Sequence, residues 1–464
     1  MNQKFFKKLL PLAIALLGFA NVYAEGYQVN VLSAKQTGMG HVGTGMKLGA
    51  ESIHFNPAAL VLNDKHVDFS AGISLISAKA KYSNDIYSAK TDNPIGTPFY
   101  FYAGFKIFDN LAAGIGVNTP YGNTLKWPKH WEGSALIQDI SLGAYVIQPT
   151  LSYKITKRLS IGAGLMLATG NVELTRSLMS KGDFQMIGSI IEGMPQLPAE
   201  LKDDLVQKIR SNNYPPASAT LDGNAGVRAG FNVGIFYDVC DKVSLGLSYR
   251  SKIVMKVKEG DAQLNYANAI VENVMATLGQ LAPTFAIPKY DQGTFRAELP
   301  LPSNTTLGVT YRPNNKWDLA LDVQYVGWNA YDSLNVYFNE PELGINPIKA
   351  NKDYKNTITA RIGAQYKTTE RLDLRAGVYY DQSPIRKNNY NPETPGMDKI
   401  GMSAGASFQP YKDFSIDFAF LYIQGLSRDG SYTSKNIITG QSDLFSGRYK
   451  SNAITASLGL SYTF

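Results

Sequence analysis

The connections between the strand-like segments of this chain alternate strictly between short and long. Six tight polar turns each join two segments of alternating apolar and polar residues: Asp109-Asn110, Lys157-Arg158, Asp241-Lys242, Asn314-Asn315, Glu370-Arg371 and Tyr411-Lys412-Asp413. Seven longer irregular stretches lie between them, near residues 83–96, 119–142, 176–219, 259–293, 339–353, 382–397 and 427–446. Thirteen connections join fourteen strands, and transmembrane barrels place short turns on one side of the membrane and long loops on the other. A soluble propeller would not sort its loops by length. We therefore predict an all-β protein, a 14-stranded antiparallel transmembrane β-barrel.

The last eleven residues show the two-faced pattern that such a wall needs. Every even position from Ile454 to Phe464 is apolar, and every odd position between them is small or polar. This alternation, with an aromatic final residue, is typical of a closing strand between lipid and a wet lumen. The same argument predicts that Lys252, Lys256 and Lys258 face the lumen. A lysine facing lipid at the bilayer midplane would cost about 2 to 4 kcal/mol.

Residues 1–24 have the composition of a cleaved secretory signal. Three lysines precede the apolar run 9–20, and Val22-Tyr23-Ala24 supplies the cleavage site. A membrane anchor is the alternative, but a run of roughly 12 apolar residues is shorter than the roughly 20 that a spanning helix needs. The net charge of +7 includes those three lysines, so a mature chain starting at Glu25 carries 7 − 3 = +4. This charge gives no reason to expect a nucleic-acid partner.

Two further observations limit the class of protein. No later segment has the length of a spanning apolar helix, and the mean hydropathy of −0.16 is low, so a helical membrane protein is excluded. Cys240 is the sole cysteine, so no intrachain disulfide can form. These properties suit a barrel in the outer membrane of a Gram-negative-type bacterium.

Residues 25–65 precede the barrel of residues 66–464 and do not alternate. They are rich in glycine and end near Asn56-Pro57-Ala58. A free periplasmic tail is one interpretation. Fourteen strands, however, enclose a lumen too wide for their own side chains to fill, so we predict that this segment folds inside the barrel as a plug.

Four motifs occur in a fixed order along the fourteen strands. They are the glycine-rich segment with Asn56-Pro57-Ala58, the third strand running into Val117-Asn118-Thr119-Pro120-Tyr121-Gly122, Tyr380-Asp381-Gln382-Ser383-Pro384 after strand eleven, and the aromatic terminus. With these motifs the chain resembles the FadL family of outer-membrane long-chain fatty acid transporters. The resemblance implies a plug, a hydrophobic landing groove on the third and fourth outer loops, an internal ligand site, and a kinked third strand that opens the wall sideways.

The third and fourth long loops, near 176–219 and 259–293, carry apolar residues at spacings of three and four. These spacings predict amphipathic helices. The candidate ligand-binding residues on them are Phe184, Ile187, Ile191, Val274 and Leu278. Packing of the helices on each other is the alternative, and both can hold if the helices leave a groove between them.

Strand five ends in Val172-Glu173-Leu174-Thr175-Arg176, which is similar to the family segment that bears a carboxylate-binding arginine. By this resemblance Arg176 holds a fatty acid head group; a lumenal salt bridge with Glu173 is the alternative. The family's second cation falls near Ala350, where this chain has Lys349 and Lys352 on either side instead of a clean match.

We expect the lateral opening at strand three. Pro120 lacks the N–H that a strand ladder needs, and Gly114 and Gly116 weaken strand regularity. The alternative is that Pro120 only begins the second long loop.

Motifs for catalysis do not have the context that their chemistry needs. Gly38-Met39-Gly40-His41-Val42-Gly43 matches a dinucleotide fingerprint but follows no strand, and Gly401-Met402-Ser403-Ala404-Gly405 matches a nucleophile elbow but lies inside a strand. The four histidines show no metal-ligand spacing. We predict no metal, no cofactor and no enzyme activity.

The predicted function is passive uptake of hydrophobic molecules by a monomer surrounded by outer-membrane lipid. Long-chain fatty acids are the first candidate substrate, and aromatic hydrocarbons are the alternative. A general porin and an outer-membrane esterase are weaker alternatives.

Overall fold

The computed structural model describes residues 27–282, 285–343, 345, 347–435 and 442–464. Residues 1–24, for which the sequence predicts a secretory signal, lie outside this part of the chain. The barrel strands are β1 (Val67–Ser83), β2 (Phe99–Phe108), β3 (Leu111–Lys126), β4 (Asp139–Lys154), β5 (Leu159–Ser177), β6 (Ala217–Cys240), β7 (Val243–Arg250 and Ile253–Tyr266), β8 (Thr294–Leu301 and Asn304–Asn314), β9 (Trp317–Val326), β10 (Thr357–Lys367), β11 (Leu372–Asp381), β12 (Lys399–Tyr411), β13 (Phe414–Gly425) and β14 (Ser442–Thr463).

Each strand pairs antiparallel with the next along the chain, and the last pairs with the first. The β14–β1 ladder runs from Asp68 opposite Thr463 to Ser83 opposite Arg448 and closes the barrel. All six predicted short turns join consecutive strands. Among the described residues, four short strands extend the wall beside the long connections: Ser88–Lys90, Ser333–Phe338, Ile348–Asn351 and Arg428–Lys435. The predicted 14-stranded antiparallel barrel is confirmed.

The wall has an apolar outer face and a polar inner face. On β14, Leu458 and Leu460 are 42% and 45% exposed, whereas Thr455 and Ser457 are 0% and 5% exposed. The exposed apolar side chains match the lipid-facing band of a transmembrane barrel.

The alternation on β7 shifts where the strand breaks at Ser251 and Lys252. Beyond the break, Met255 and Val257 are buried and line an internal cavity. Lys256 forms a surface ion pair with Glu298 instead. The prediction that Lys256 and Lys258 face the lumen is therefore wrong, and Lys252 lies in the break itself. We infer that this part of β7 stands beyond the bilayer, where an outward lysine meets water and loses no hydration.

In the described part of the chain, the helices are short and lie in the connections or inside the barrel. They are α1 (Ala34–Thr37), α2 (Ser52–Phe55), α3 (Lys181–Glu192), α4 (Ala199–Ser211) and α5 (Ala269–Leu281). Ser180 caps α3 through a capping box with Asp183, and Asn268 caps α5 by accepting from the Val271 N–H. None of the helices in the described ranges combines the length and the apolar sequence of a membrane span.

The amino-terminal segment lies inside the barrel. It contains α1, α2 and two 3₁₀ turns, Gly49–Glu51 and Pro57–Leu62. The buried carboxylate of Asp322 on β9 accepts from the Gly43 and Thr44 N–H groups at 2.9 and 3.0 Å. These bonds satisfy plug backbone groups that the lumen wall hides from water.

Candidate functional site

Asn56-Pro57-Ala58 lies where the plug meets strands β5 to β7. The fully buried Asn56 donates from Nδ2 to the carbonyl oxygens of Thr44 (2.9 Å) and Ile235 (3.0 Å). Its Oδ1 accepts from the Ala58 N–H at 3.2 Å and so caps the following 3₁₀ turn, with Pro57 at the first position. One asparagine therefore ties the plug both to itself and to the β6 backbone.

The barrel wall has glycine where the plug backbone approaches most closely. A Cβ at Gly162 on β5 would lie 2.3 Å from the Pro57 carbonyl carbon, and one at Gly246 on β7 would lie 1.8 Å from the Thr44 oxygen. No side chain can be added at either position unless the plug moves. The plug backbone can pack against the wall at these positions only because both residues are glycine.

An apolar cavity lies within the outer part of the barrel, and its space, part of it open to solvent, amounts to about 860 Å³. Its lining comes mainly from β4 to β8 and includes Leu174, Leu221, Met255, Val257, Phe295 and Leu299. The shifted alternation of β7 supplies two of these side chains. The plug contributes Tyr27, whose ring lies 5.1 Å from that of Trp328 and 5.8 Å from that of Tyr331.

A charged cluster adjoins this cavity. Glu393, which lines the cavity, forms a buried ion pair with Lys352 at 3.0 Å, and the two side chains are 6% and 0% exposed. Arg176 lies one strand repeat beyond the cavity-lining Leu174, and the charge of Glu393 acts on it. Burial, then the charge of Glu393, raises the pKa of Tyr331 well above its ordinary value, so its hydroxyl stays neutral.

The two cations and the single carboxylate of this cluster leave one positive charge uncompensated. Among the described residues Arg176 forms no ion pair, and Glu173 lies exposed on the opposite face of β5. The alternative salt bridge between these two residues is therefore absent. Lys349 is exposed on the short strand Ile348–Asn351, so the structure brings Lys352 but not Lys349 to the cluster.

The five apolar candidates on the outer loops lie in the core between the helices. The exposed fractions of these side chains are 0–2%, and they pack with one another and with α4: Phe184, Ile187, Ile191, Val274 and Leu278. None of them lines the apolar cavity. The structure therefore places them in helix packing, which was the alternative interpretation of their spacing. Met186, Ile190 and Ile270 remain exposed on the outer surface of the same helices.

The barrel wall has a side opening beside β3. Strand β2 starts only at Phe99, so β3 has no β2 partner beyond Asn118. The β3–β4 ladder shifts register between Asn118 and Tyr121, around Pro120. A space of about 1720 Å³, part of it open to solvent, lies at this gap, and its lining includes the buried Leu421 and the exposed Phe99.

The amino-terminal segment covers the inner side of this opening. The Val29 N–H donates to the Pro120 carbonyl oxygen at 2.8 Å, and the Gly122 N–H donates to the Tyr27 oxygen at 2.9 Å. The plug thus adds a short strand to the edge that β2 leaves unpaired. Such an added strand can leave without breaking the barrel ladders.

Gly114 and Gly116 do not belong to the opening. They lie in regular ladder positions opposite Gly104 and Tyr102, and a Cβ on either glycine would contact Ile53 of the plug. Their lack of side chains makes room for the plug, whereas the irregularity of the strand lies at Pro120.

The motifs that resemble catalytic sequences have structural roles. Gly40 follows α1 with a φ of +69°, and its N–H donates to the Ser403 hydroxyl at 3.0 Å. Within the described residues no group of three potential metal ligands occurs. Sequence reasoning missed Glu393 and Tyr27, because both lie in irregular segments where neither spacing nor alternation marks an inward-facing side chain.

Comparison with known proteins matches this architecture. The family described as outer membrane protein transport protein (OMPP1/FadL/TodX) matches residues 15–464. Outer membrane protein P1 of Haemophilus influenzae is 24% identical over 449 residues, covering 91% of each chain. The long-chain fatty acid transport protein of Escherichia coli O157:H7 is 23% identical over 437 residues, covering 92% of this chain and 94% of that protein.

Solved structures share the fold. A Pseudomonas aeruginosa FadL homologue superimposes with a TM-score of 0.75 at 21% identity, covering 95% of this chain and 100% of that chain. The Ralstonia pickettii toluene transporter TbuX does so with a TM-score of 0.65 at 18% identity, covering 94% and 99%. The family match over nearly the whole length, together with the closed barrel, shows an outer-membrane protein that transports hydrophobic compounds. The chain belongs to the OMPP1/FadL/TodX family of outer membrane transport proteins.

Proposed function

We propose that this protein takes up long-chain fatty acids by passive diffusion and releases them sideways into the outer membrane. The observation that carries the proposal is the apolar cavity with a net positive cluster beside it. Arg176 would bind the carboxylate by a charge-assisted hydrogen bond, and the acyl chain would fill the cavity. Lys352 compensates Glu393 and so leaves Arg176 available.

The charge of the cluster favours a fatty acid over an aromatic hydrocarbon. A neutral ring has no group that could compensate the arginine, and burying an uncompensated charge is costly. A carboxylate offers that compensation. In support, one relative is named a long-chain fatty acid transport protein, whereas the likeness to a toluene transporter shows the fold alone.

The side opening provides the exit that the proposal needs. An acyl chain that passes from the cavity directly into lipid never exposes its methylene groups to water. This avoids a free-energy cost of about 0.8 kcal/mol for each methylene group. A general porin is disfavoured because the plug fills the lumen. We propose a channel rather than an enzyme, since the motifs that resemble catalytic ones have structural contacts.

Equilibrium binding to the purified protein tests the proposal. We expect Arg176→Ala to weaken oleate binding by roughly 1.5–3 kcal/mol, the contribution of a hydrogen bond to a charged group, and to leave oleyl alcohol and toluene unchanged. Arg210→Ala is the matched control, because Arg210 is exposed on α4 and pairs with Glu192 at 2.7 Å. Equal weakening of all three ligands would make Arg176 structural. A wild type that binds toluene but not oleate would select the aromatic substrate.

A further inference from the structure

A second, polar cavity lies in the lumen against the plug. Its space, part of it open to solvent, amounts to about 600 Å³, and its wall combines plug residues with side chains of β3 and β7 to β10. The polar and charged residues of that wall include His54, Ser248, Arg250, Asn304, Asp322 and Arg361. A fatty acid bound at Arg176 leaves this cavity without an assigned role.

Arg361 is buried in this wall with unused hydrogen-bonding capacity. It is 4% exposed, and its Nη2 donates to Gln324 Oε1 at 2.6 Å. Its Nε has no hydrogen-bond partner among the described residues. Asp322 lies directly across the β9–β10 ladder, but its Oδ2 is already bonded to the plug backbone, and no ion pair joins it to Arg361 in the described part of the chain.

Arg250 brings a second guanidinium group to the same cavity. Its Nη2 donates to the His54 carbonyl oxygen at 2.7 Å, and its Nη1 donates to Gln148 Oε1 at 3.3 Å. These acceptors are neutral, so the charge of Arg250 is not compensated by them. With neutral histidines, the wall carries two positive charges and the single negative charge of Asp322, a net charge of +1.

The polar cavity adjoins the side opening. Both are lined by Gln28, Asn30, His41 and Tyr121. A long amphiphile can therefore extend its chain into the opening while its head stays in the polar cavity. This arrangement solves a physical difficulty of lateral exit, because a carboxylate that enters an apolar passage without a counter-charge loses its hydration.

We propose that Arg250 and Arg361 form a second anion subsite, which holds the carboxylate of a long-chain fatty acid while its chain leaves through the side opening. The proposal rests on the proposed function for its ligand. It differs from the cluster at Arg176, because it serves the release step and not the initial binding. An uncharged molecule of equal length does not use this subsite.

The test measures uptake of oleate and oleyl alcohol by cells in which this chain is the transporter, together with equilibrium binding of oleate to the purified protein. We expect Arg361→Gln to lower oleate uptake about tenfold, as the loss of a charge-assisted hydrogen bond predicts, with alcohol uptake unchanged. In the Arg176→Ala background, residual oleate binding should disappear when Arg361→Gln is added.

Arg375→Gln is the matched control. Arg375 is a buried arginine of the neighbouring strand β11, but its Nε donates to Gln365 at 2.7 Å, and it does not line the polar cavity. This variant should take up both ligands as the wild type does. If Arg361→Gln loses uptake of both ligands, or takes up oleate normally, the proposed subsite is overturned. If Arg176→Ala binds oleate as the wild type does, the proposed function is overturned instead, so the two failures are distinguishable.

Discussion

We expect Lys352 to stabilise the fold and not to bind the ligand. Because its ammonium group is buried against Glu393, Lys352→Met should leave an uncompensated carboxylate and destabilise the outer loops by about 3–5 kcal/mol. The double variant Lys352→Met/Glu393→Gln should recover most of that stability and still bind oleate, because Arg176 keeps its charge. Thermal unfolding and oleate binding of the three proteins check this. Loss of oleate binding in a stable double variant would make Lys352 a ligand.

Asp398, just before β12, is expected to make its loop sensitive to pH. Burial raises the pKa of Asp398 to about 6 from an ordinary value of 3.8, although the Tyr380 hydroxyl that donates to it at 2.7 Å opposes the shift. The folded loop therefore binds the carboxyl proton of Asp398 more tightly than the unfolded chain does. Loop stability should therefore fall as the pH rises from about 4 to about 6 and then level off.

Hydrogen exchange of residues 382–398 measures this effect. Protection, corrected for intrinsic exchange, should be higher at pH 5 than at pH 7.5 in the wild type. Asp398→Asn should remove the difference. A variant with the same pH dependence as the wild type would assign the effect to another group.

The sequence predicts individual residues only where a pattern extends through them. Arg176 continues the inward face of β5 and follows a family motif, so it could be singled out. The sequence does not tell which of Lys349 and Lys352 points inward. Successive side chains of a strand point to opposite sides, so a shift of one residue exchanges the inward and the outward positions. Glu393 lies in a loop without any period.

At the scale of elements, the strands were predictable because alternation and turn residues agree along the chain. The break in β7 was not, because Ser251 and Lys252 look like ordinary members of an alternating strand. The outer-loop helices followed from their spacing. What the apolar faces of these helices contact could not be predicted, because the same spacing serves helix packing and ligand binding equally well.

The plug is a separable element of the lumen. Deleting residues 27–62 should leave a folded barrel, because the strand ladders close without the plug. The ion conductance of single channels in planar bilayers should then rise strongly. A folded deletion variant with the conductance of the wild type would show that the segment does not block the lumen.

The added strand at the side opening should control release. Gln28 and Tyr121 are directly paired, at the separation that a disulfide requires. In a Cys240→Ser background, oxidised Gln28→Cys/Tyr121→Cys should take up oleate slowly, and reduction should restore uptake because the segment can move again. The two single variants are the controls. Equal rates before and after reduction would place the segment outside the path.

At the scale of the whole molecule, the proposed route leads from the apolar cavity to the side opening, and Asn123, Leu142 and Ala144 line both. The number of strands and the presence of a plug could be predicted from the sequence. The two cavities could not, because they depend on where the plug ends and on which side chains the break in β7 turns inward.

Oleate uptake through a blocked side opening tests the route most directly. Gly96 lines the opening, and a Cβ there would contact only Ile76, at 3.6 Å or more, so we expect Gly96→Trp to be tolerated and to fill the opening. Gly226→Trp is the control, because a Cβ at Gly226 meets nothing within 4 Å and the residue lies outside the opening.

The measurement is the initial rate of oleate uptake by cells that depend on this chain, at equal amounts of folded protein in the outer membrane. We expect Gly96→Trp to lower the rate about tenfold or more, because the acyl chain of oleate must then cross water or an occupied wall. Oleate should still bind to this variant, and Gly226→Trp should transport oleate normally. Wild-type uptake by Gly96→Trp, with the indole shown to fill the opening, would contradict lateral release.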